Sequence, residues 1–137
     1  MQINQNLKIL SFGTIDQRKE FHSSSSIYPV GFKSVRTHQS MFHLNEKAEY
    51  VNEILSAQGK CLFKTTCSED PHHPMIRDNP SSIWLEIIKK INAVTHARST
   101  DKLTISGPHM FGFSEYAVCK VIQEMPGADR LQNYKMK

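Results

Sequence analysis

What this chain lacks narrows it first. Its three cysteines, Cys61, Cys67 and Cys119, are an odd count with no C-x-x-C pair, so neither a disulfide framework nor a paired-thiolate zinc site is written in their spacing. No apolar run approaches the ~20 residues that cross a bilayer. The start, MQINQNLKIL, has neither the charged beginning nor the apolar core of a secretory leader. The expectation is a reduced intracellular protein, cytosolic or nuclear, with no membrane partner. Dense cationic runs are missing too. The net charge of +4 comes from 8 basic against 7 acidic side chains in residues 1–70 and 9 against 6 in residues 71–137, with Lys89-Lys90 the longest basic stretch. A nucleic-acid footprint is normally more concentrated. No internal repeat is visible.

What is there suits one domain. A chain of 137 residues can bury roughly two-thirds of the surface it exposes unfolded. LKILSF, from Leu7, reads as a first strand. The serines at 23–26 read as a polar loop open to phosphorylation. Residues 27–36, IYPVGFKSVR, are rich in strand formers, yet Pro29 and Gly31 interrupt them. The pattern predicts a sharply bent entry and a strand from about Phe32 past Arg36, with Phe32, Ser34 and Arg36 on one face. Arg36 is expected to be partly buried against Glu49 or Glu53. Residues 48–56 and 60–66 flank Ala57-Gln58-Gly59 and predict a hairpin with Cys61, Phe63 and Thr65 on one side. The proline-rich stretch SEDPHHPMIRDNPSS reads as a loop.

Helices follow. Asn79 and Pro80 suit the cap and first position of a helix whose Ile83, Trp84, Ile87, Ile88 and Ile91 form one stripe. Residues 103–106 predict a short strand and GPHMFGF a turn. A second helix, capped by Ser114, carries Ala117, Val118, Val121, Ile122 and Met125 and ends at Pro126-Gly127. The tail holds a turn and a final strand. Strands first and helices later predict an α+β fold, a single antiparallel sheet with helices packed on one face.

Two composite patterns carry a family resemblance. The first comprises Gly13-Thr14-Ile15, Phe21-His22, residues 27–32 (IYPVGF, with Tyr28, Pro29, Gly31 and Phe32), Ser34 and Arg36, then Tyr50, Ile54, Gly59 and Phe63. The second comprises Ser106-Gly107, Met110-Phe111-Gly112-Phe113-Ser114, Val118, Ile122-Gln123, Pro126-Gly127-Ala128 and Tyr134. These resemble the FYRN and FYRC halves of the FYR domain, found in trithorax-type histone methyltransferases, jumonji-type demethylases and a transforming-growth-factor-beta regulator. The resemblance implies one domain over residues 7–134, FYRN-like at 7–66 and FYRC-like at 103–134, joined by a loop and helix at 67–102. It implies that both halves contribute strands to a shared sheet, and that the module is nuclear and non-catalytic. Such a module binds chromatin-associated proteins as an accessory subunit of a modifying or remodelling complex. The long insertion and protease site of trithorax-type proteins have no counterpart between the motifs. The family's usual SET or jumonji neighbours are not within these residues, and if the 137 residues are the complete protein the expectation is a stand-alone FYR polypeptide.

Other chemistries read more weakly. GFSEY half-matches a nucleophile elbow, but Tyr116 replaces its closing glycine, and Ser114 reads as a helix cap. Cys61, Cys67, His72 and His73 lie close in sequence without ligand pairing, and no metal, cofactor or small-molecule substrate is expected. The aromatic residues read as core rather than a base-stacking platform. Lys89, Lys90, Arg98 and Lys102 bracket the end of the first helix. They read as a solvated face favourable to the helix dipole, or as contacts for a partner or for phosphate in a direct nucleic-acid-binding alternative.

Overall fold

The computed structural model describes residues 1–96 and 105–136. Six strands form one open antiparallel sheet in chain order: β1 (Gln2–Asn4), β2 (Leu7–Ser11), β3 (Lys33–Gln39), β4 (Lys47–Ala57), β5 (Lys60–Cys67) and β6 (Met75–Arg77). Three helices, α1 (Pro80–Thr95), α2 (Gly107–Phe111) and α3 (Tyr116–Gln123), pack on one face, an α+β fold. Alternation chooses that face. Leu7 and Ile9 of β2, Ser34 and Arg36 of β3, Tyr50, Asn52 and Ile54 of β4, and Cys61, Phe63, Thr65 and Cys67 of β5 are all buried. The register lines them up in rows, Leu7 beside Arg36 beside Tyr50 beside Cys67, and Ile9 beside Ser34 beside Asn52 beside Thr65.

Pro29 and Gly31 form the bent entry to the strand as a tight turn. Phe32 N–H donates to the Pro29 carbonyl, with Gly31 at φ 86°. A type II turn needs this positive angle at its third residue. β3 then begins at Lys33. Gly13 lies directly against the turn: a Cβ there would run into the Val30 carbonyl, and Thr14 and Val30 exchange both backbone hydrogen bonds. The β4–β5 hairpin turns on two residues, Gln58 at φ 54° and Gly59 at φ 77°, the twist that suits a two-residue hairpin.

α1 starts as its sequence predicts. Asn79 Oδ1 accepts from the amides of Ser81 and Ser82, and Pro80 occupies the first position. Ile83, Trp84, Ile87 and Ile91 are buried, each worth roughly 1.5–3 kcal/mol of apolar transfer for a side chain of that size. Trp84 meets Tyr50 at 5.1 Å between ring centroids.

The structure departs from expectation at the short elements. The proline-rich stretch contains β6, which pairs with β5 from Phe63 to Thr65. GPHMFGF is not only a turn. Its first five residues are α2, whose cap Ser106 accepts from the His109 amide, and Gly112 ends it at φ 110°. Of the strand expected at 103–106, Ile105 and Ser106 are outside any strand, and the rest lies outside the described residues. The tail forms a 3-10 turn, Ala128–Arg130, and no further strand among the described residues. Glu115 rather than Ser114 occupies the cap position of α3, because Gly112 closes α2 and the intervening turn delays the new helix by one residue. The α3 stripe is narrower than predicted: Val118 and Ile122 are buried, Val121 and Met125 are half-buried, and Ala117 is exposed. The serine loop is an ordered turn, Ser23 Oγ accepting from the amides of Ser25 and Ser26.

Candidate interaction surface

The aromatic residues are spent on joining the two ends of the chain. Phe32 faces Phe113 at 4.7 Å between ring centroids, Tyr28 meets Phe113 at 5.6 Å and Phe63 at 5.0 Å, and Phe63 meets Phe111 at 5.6 Å. Edge-on and tilted pairs of this kind add to area burial. Pro29 is buried within the same region. Gly112 sits against Leu7 and Ile9, and Gly127, at φ 93°, against Ile15. Tyr134 donates to Gln123 Oε1, while Pro126 is exposed.

Beneath the rings lies a polar clamp. The last turn of α2 exposes carbonyls with no helical partner, and three side chains of the sheet supply donors. Ser34 Oγ donates to the Phe111 carbonyl at 2.7 Å. Arg36 Nε donates to Met110 at 3.1 Å and its Nη2 to His109 at 2.6 Å. Asn52 Nδ2 donates to the same Met110 carbonyl at 3.2 Å, and its Oδ1 accepts from Thr65 and from the Trp84 indole. Arg36 therefore does not pair with Glu49 or Glu53. Its strand neighbour is Tyr50, and glutamates at odd positions of β4 face the other way. Glu53 sits between Lys33 and Lys64 on the outer face. Burial pulls the Arg36 guanidinium below its ordinary pKa, and the Glu115 carboxylate partly opposes this. Asn52 escaped the sequence reading, and Thr65 lies on the Cys61–Phe63 side as expected but with a hydrogen-bonding role the sequence did not signal. A lone Asn and Thr in alternating strands give no signal until the register sets them side by side.

The basic residues do not assemble into a described patch. Lys89 and Lys90 are exposed, and α1 continues to Thr95, so neither lies in its last turn. Arg98 and Lys102 lie outside the described residues. Cys61 and Cys67 are buried, with thiols pushed up by desolvation, Cys61 to about 12. Cys119 S–H donates to the Phe113 carbonyl. His72 and His73 are exposed, His73 against Asp70, and do not join the cysteines. Among the described residues the one cluster of three or more histidine, cysteine or carboxylate side chains is His43, Glu46 and Glu69, a surface ion-pair cluster. In it His43 Nδ1 lies 2.6 Å from Glu69 and 3.8 Å from Glu46. Ser40 and His43 hold the Glu69 carboxyl below its ordinary value.

An open groove of about 500 Å³ lies beside the start of α1. Tyr28, Cys61, Phe63 and Pro80 give it an apolar floor, and Glu20, Lys60 and Asp78 stand exposed around it. None of these three charged groups is in an ion pair among the described residues. Burial holds the Cys61 thiol well above its ordinary value, so the groove combines an apolar floor with exposed charged groups at its rim.

Two family descriptions match this chain end to end. The F/Y-rich N-terminus covers residues 1–57 and the F/Y rich C-terminus residues 60–137. The chain belongs to the FYR family. By these bounds the N-terminal half supplies β1 to β4 and the C-terminal half β5, β6 and the helices, meeting at the hairpin turn. Among curated relatives, the chain is 31% identical over 130 residues to human transforming growth factor beta regulator 1, an alignment covering 94% of this chain and 31% of the relative. It is 26% identical over 141 residues to the Drosophila melanogaster histone-lysine N-methyltransferase trr, covering 96% and 6%. It is also 26% identical over 123 residues to human histone-lysine N-methyltransferase 2D, covering 86% and 2%. The chain spans about a third or less of the length of these relatives.

Proposed function

We propose that this domain is a non-catalytic protein-interaction module that works in the nucleus as an accessory part of a chromatin-modifying or chromatin-remodelling assembly. One observation carries the reading: the two halves of a family match across the whole chain, and the family relatives include histone-lysine methyltransferases. The architecture supports a platform. The aromatic motif residues and Arg36 are engaged in holding the halves together, so recognition falls to the outer surfaces. The candidate nucleophiles read from the sequence carry no sign of activation. Ser114 is exposed and has no described histidine partner, and Cys61 and Cys67 are buried with raised pKa values. The test is affinity purification of the tagged chain from nuclear extract. Recovery of chromatin proteins is expected; recovery of cytosolic enzymes alone overturns the reading. Titration with duplex DNA decides the nucleic-acid alternative, because phosphate-driven binding weakens linearly in log–log terms as salt rises.

A further inference from the structure

We propose that the groove beside the start of α1 takes an extended segment of a partner protein that carries a lysine or arginine, laid along the free edge of β5. The inference rests on the interaction-module reading and names the surface it uses. The groove exists because β6 stops short. β6 pairs with β5 only from Phe63 to Thr65, while β5 runs on to Lys60. Continued antiparallel pairing would set Asp78 opposite Leu62 and Asn79 opposite Cys61. At that point, however, the chain leaves the sheet as Asn79 caps α1 and Pro80 enters the helix. Lys60, Cys61 and Leu62 are therefore paired with β4 on one side and, among the described residues, with no strand on the other.

Alternate residues of a strand turn their N–H and C=O to the same edge; Lys60 and Leu62 face β4, so Cys61, in phase with Phe63 and Thr65, offers its N–H and C=O to an incoming chain. Strand addition at such an edge is a general mode of peptide capture, with side-chain pockets supplying specificity. The pocket chemistry selects the side chain. Glu20 stands on the wall formed by the 3-10 turn Lys19–Phe21, and Asp78 stands where β6 ends. Both carboxylates are exposed and in no described ion pair; the nearby Arg18 is bonded to Asp16 at 2.7 Å and feels the Glu20 charge only at longer range. Two carboxylates against Lys60 give the groove a charge opposite in sign to the chain's net +4. A cationic side chain fits there and a nucleic-acid phosphate does not. Tyr28 and Phe63 below give a residue on the inward face of the incoming strand an apolar seat.

The experiment selects a displayed library of random nine-residue peptides on the full chain, then titrates the enriched peptides into the wild type and into the Glu20→Gln/Asp78→Asn variant. Enrichment of lysine or arginine among strand-forming residues is expected, with affinity at least tenfold weaker in the variant and an unchanged melting temperature. Each is an exposed side chain, so the fold tolerates both changes. No enrichment, enriched peptides without a basic residue, or equal affinity for the variant overturns the proposal. Purification from nuclear extract with the same variant separates the two failures. If the variant retains every chromatin partner of the wild type, the groove assignment falls and the module reading stands. If the wild type recovers none, the module reading falls.

Discussion

Arg36 carries its charge to a site that is 7% exposed, where its acceptors are two carbonyls rather than a carboxylate. The end of α2 is nevertheless a good counter-site, because the partial negative charge of a helix terminus gathers on those carbonyls. Hydrogen bonds to charged groups contribute about 1.5–3 kcal/mol each. Arg36→Met keeps the stem, removes both and relieves the desolvation of the charge, so a loss of roughly 2–4 kcal/mol, below the ~3–6 of the two bonds, is expected in urea denaturation. Asn52→Ala strands the Trp84 indole and Thr65 hydroxyl and is expected to cost about 2–3 kcal/mol. The double variant should lose less than the sum, because both side chains donate to the Met110 carbonyl. Strict additivity would mean the clamp is not a unit. Glu69 gives the pH signature at this scale. Its carboxyl is held below the ordinary 4.5 by Ser40 first and His43 after it. A depressed acid adds stability that is complete above its unfolded value and fades as pH falls through the folded one. Glu69→Gln is therefore expected to flatten part of the stability loss below about pH 4.5. The effect stays under about 1 kcal/mol, because the pair is solvated. An unchanged acid limb in denaturation curves would count against it.

Elements with dense local signals were legible in the sequence, and the short ones were not. α1 announces itself through Asn79, Pro80 and a stripe running over two turns, and the β4–β5 hairpin through alternation on both sides of Gly59. α2 spans five residues, too few for a helical period to show, and it stands because sheet side chains hold its carbonyl end. β6 spans three residues and owes its extended form to β5 alone. The polar clamp was hidden for a related reason: Ser34, Arg36 and Asn52 acquire their partner only when α2, 58 to 77 residues away, is docked. The hairpin turn offers a gain. Gln58 holds φ 54°, a left-handed angle that Asn tolerates better than Gln, and Asn-Gly is the favoured pair for this turn. Gln58→Asn is expected to raise stability by roughly 0.5 kcal/mol, read as a higher urea midpoint at constant slope. A lower midpoint would mean that the Gln58 side chain has a role of its own.

At the scale of the molecule, the two family halves meet at Gln58-Gly59, inside the longest ladder of the sheet, so neither half owns a complete core. Residues 1–57 contain Ser34, Arg36 and Asn52 but not the carbonyls they hold. Residues 60–137 contain those carbonyls, Trp84 and the Phe111–Phe113 rings but only two strands to rest on. Separately expressed, the fragments are each expected to lack a cooperative melt, because a two-stranded sheet is marginal alone and the four-stranded piece would expose its apolar face. Mixed one to one, they are expected to restore the native circular dichroism. They should also blue-shift the emission of Trp84, the single tryptophan, whose ring partner Tyr50 and hydrogen-bond partner Asn52 both come from the other fragment. The melting temperature of the mixture should then rise with concentration, since association and folding are one equilibrium. A fragment that melts cooperatively by itself, or a mixture whose tryptophan stays solvent-exposed, would show that the halves are independent units and that the shared core does not hold them together.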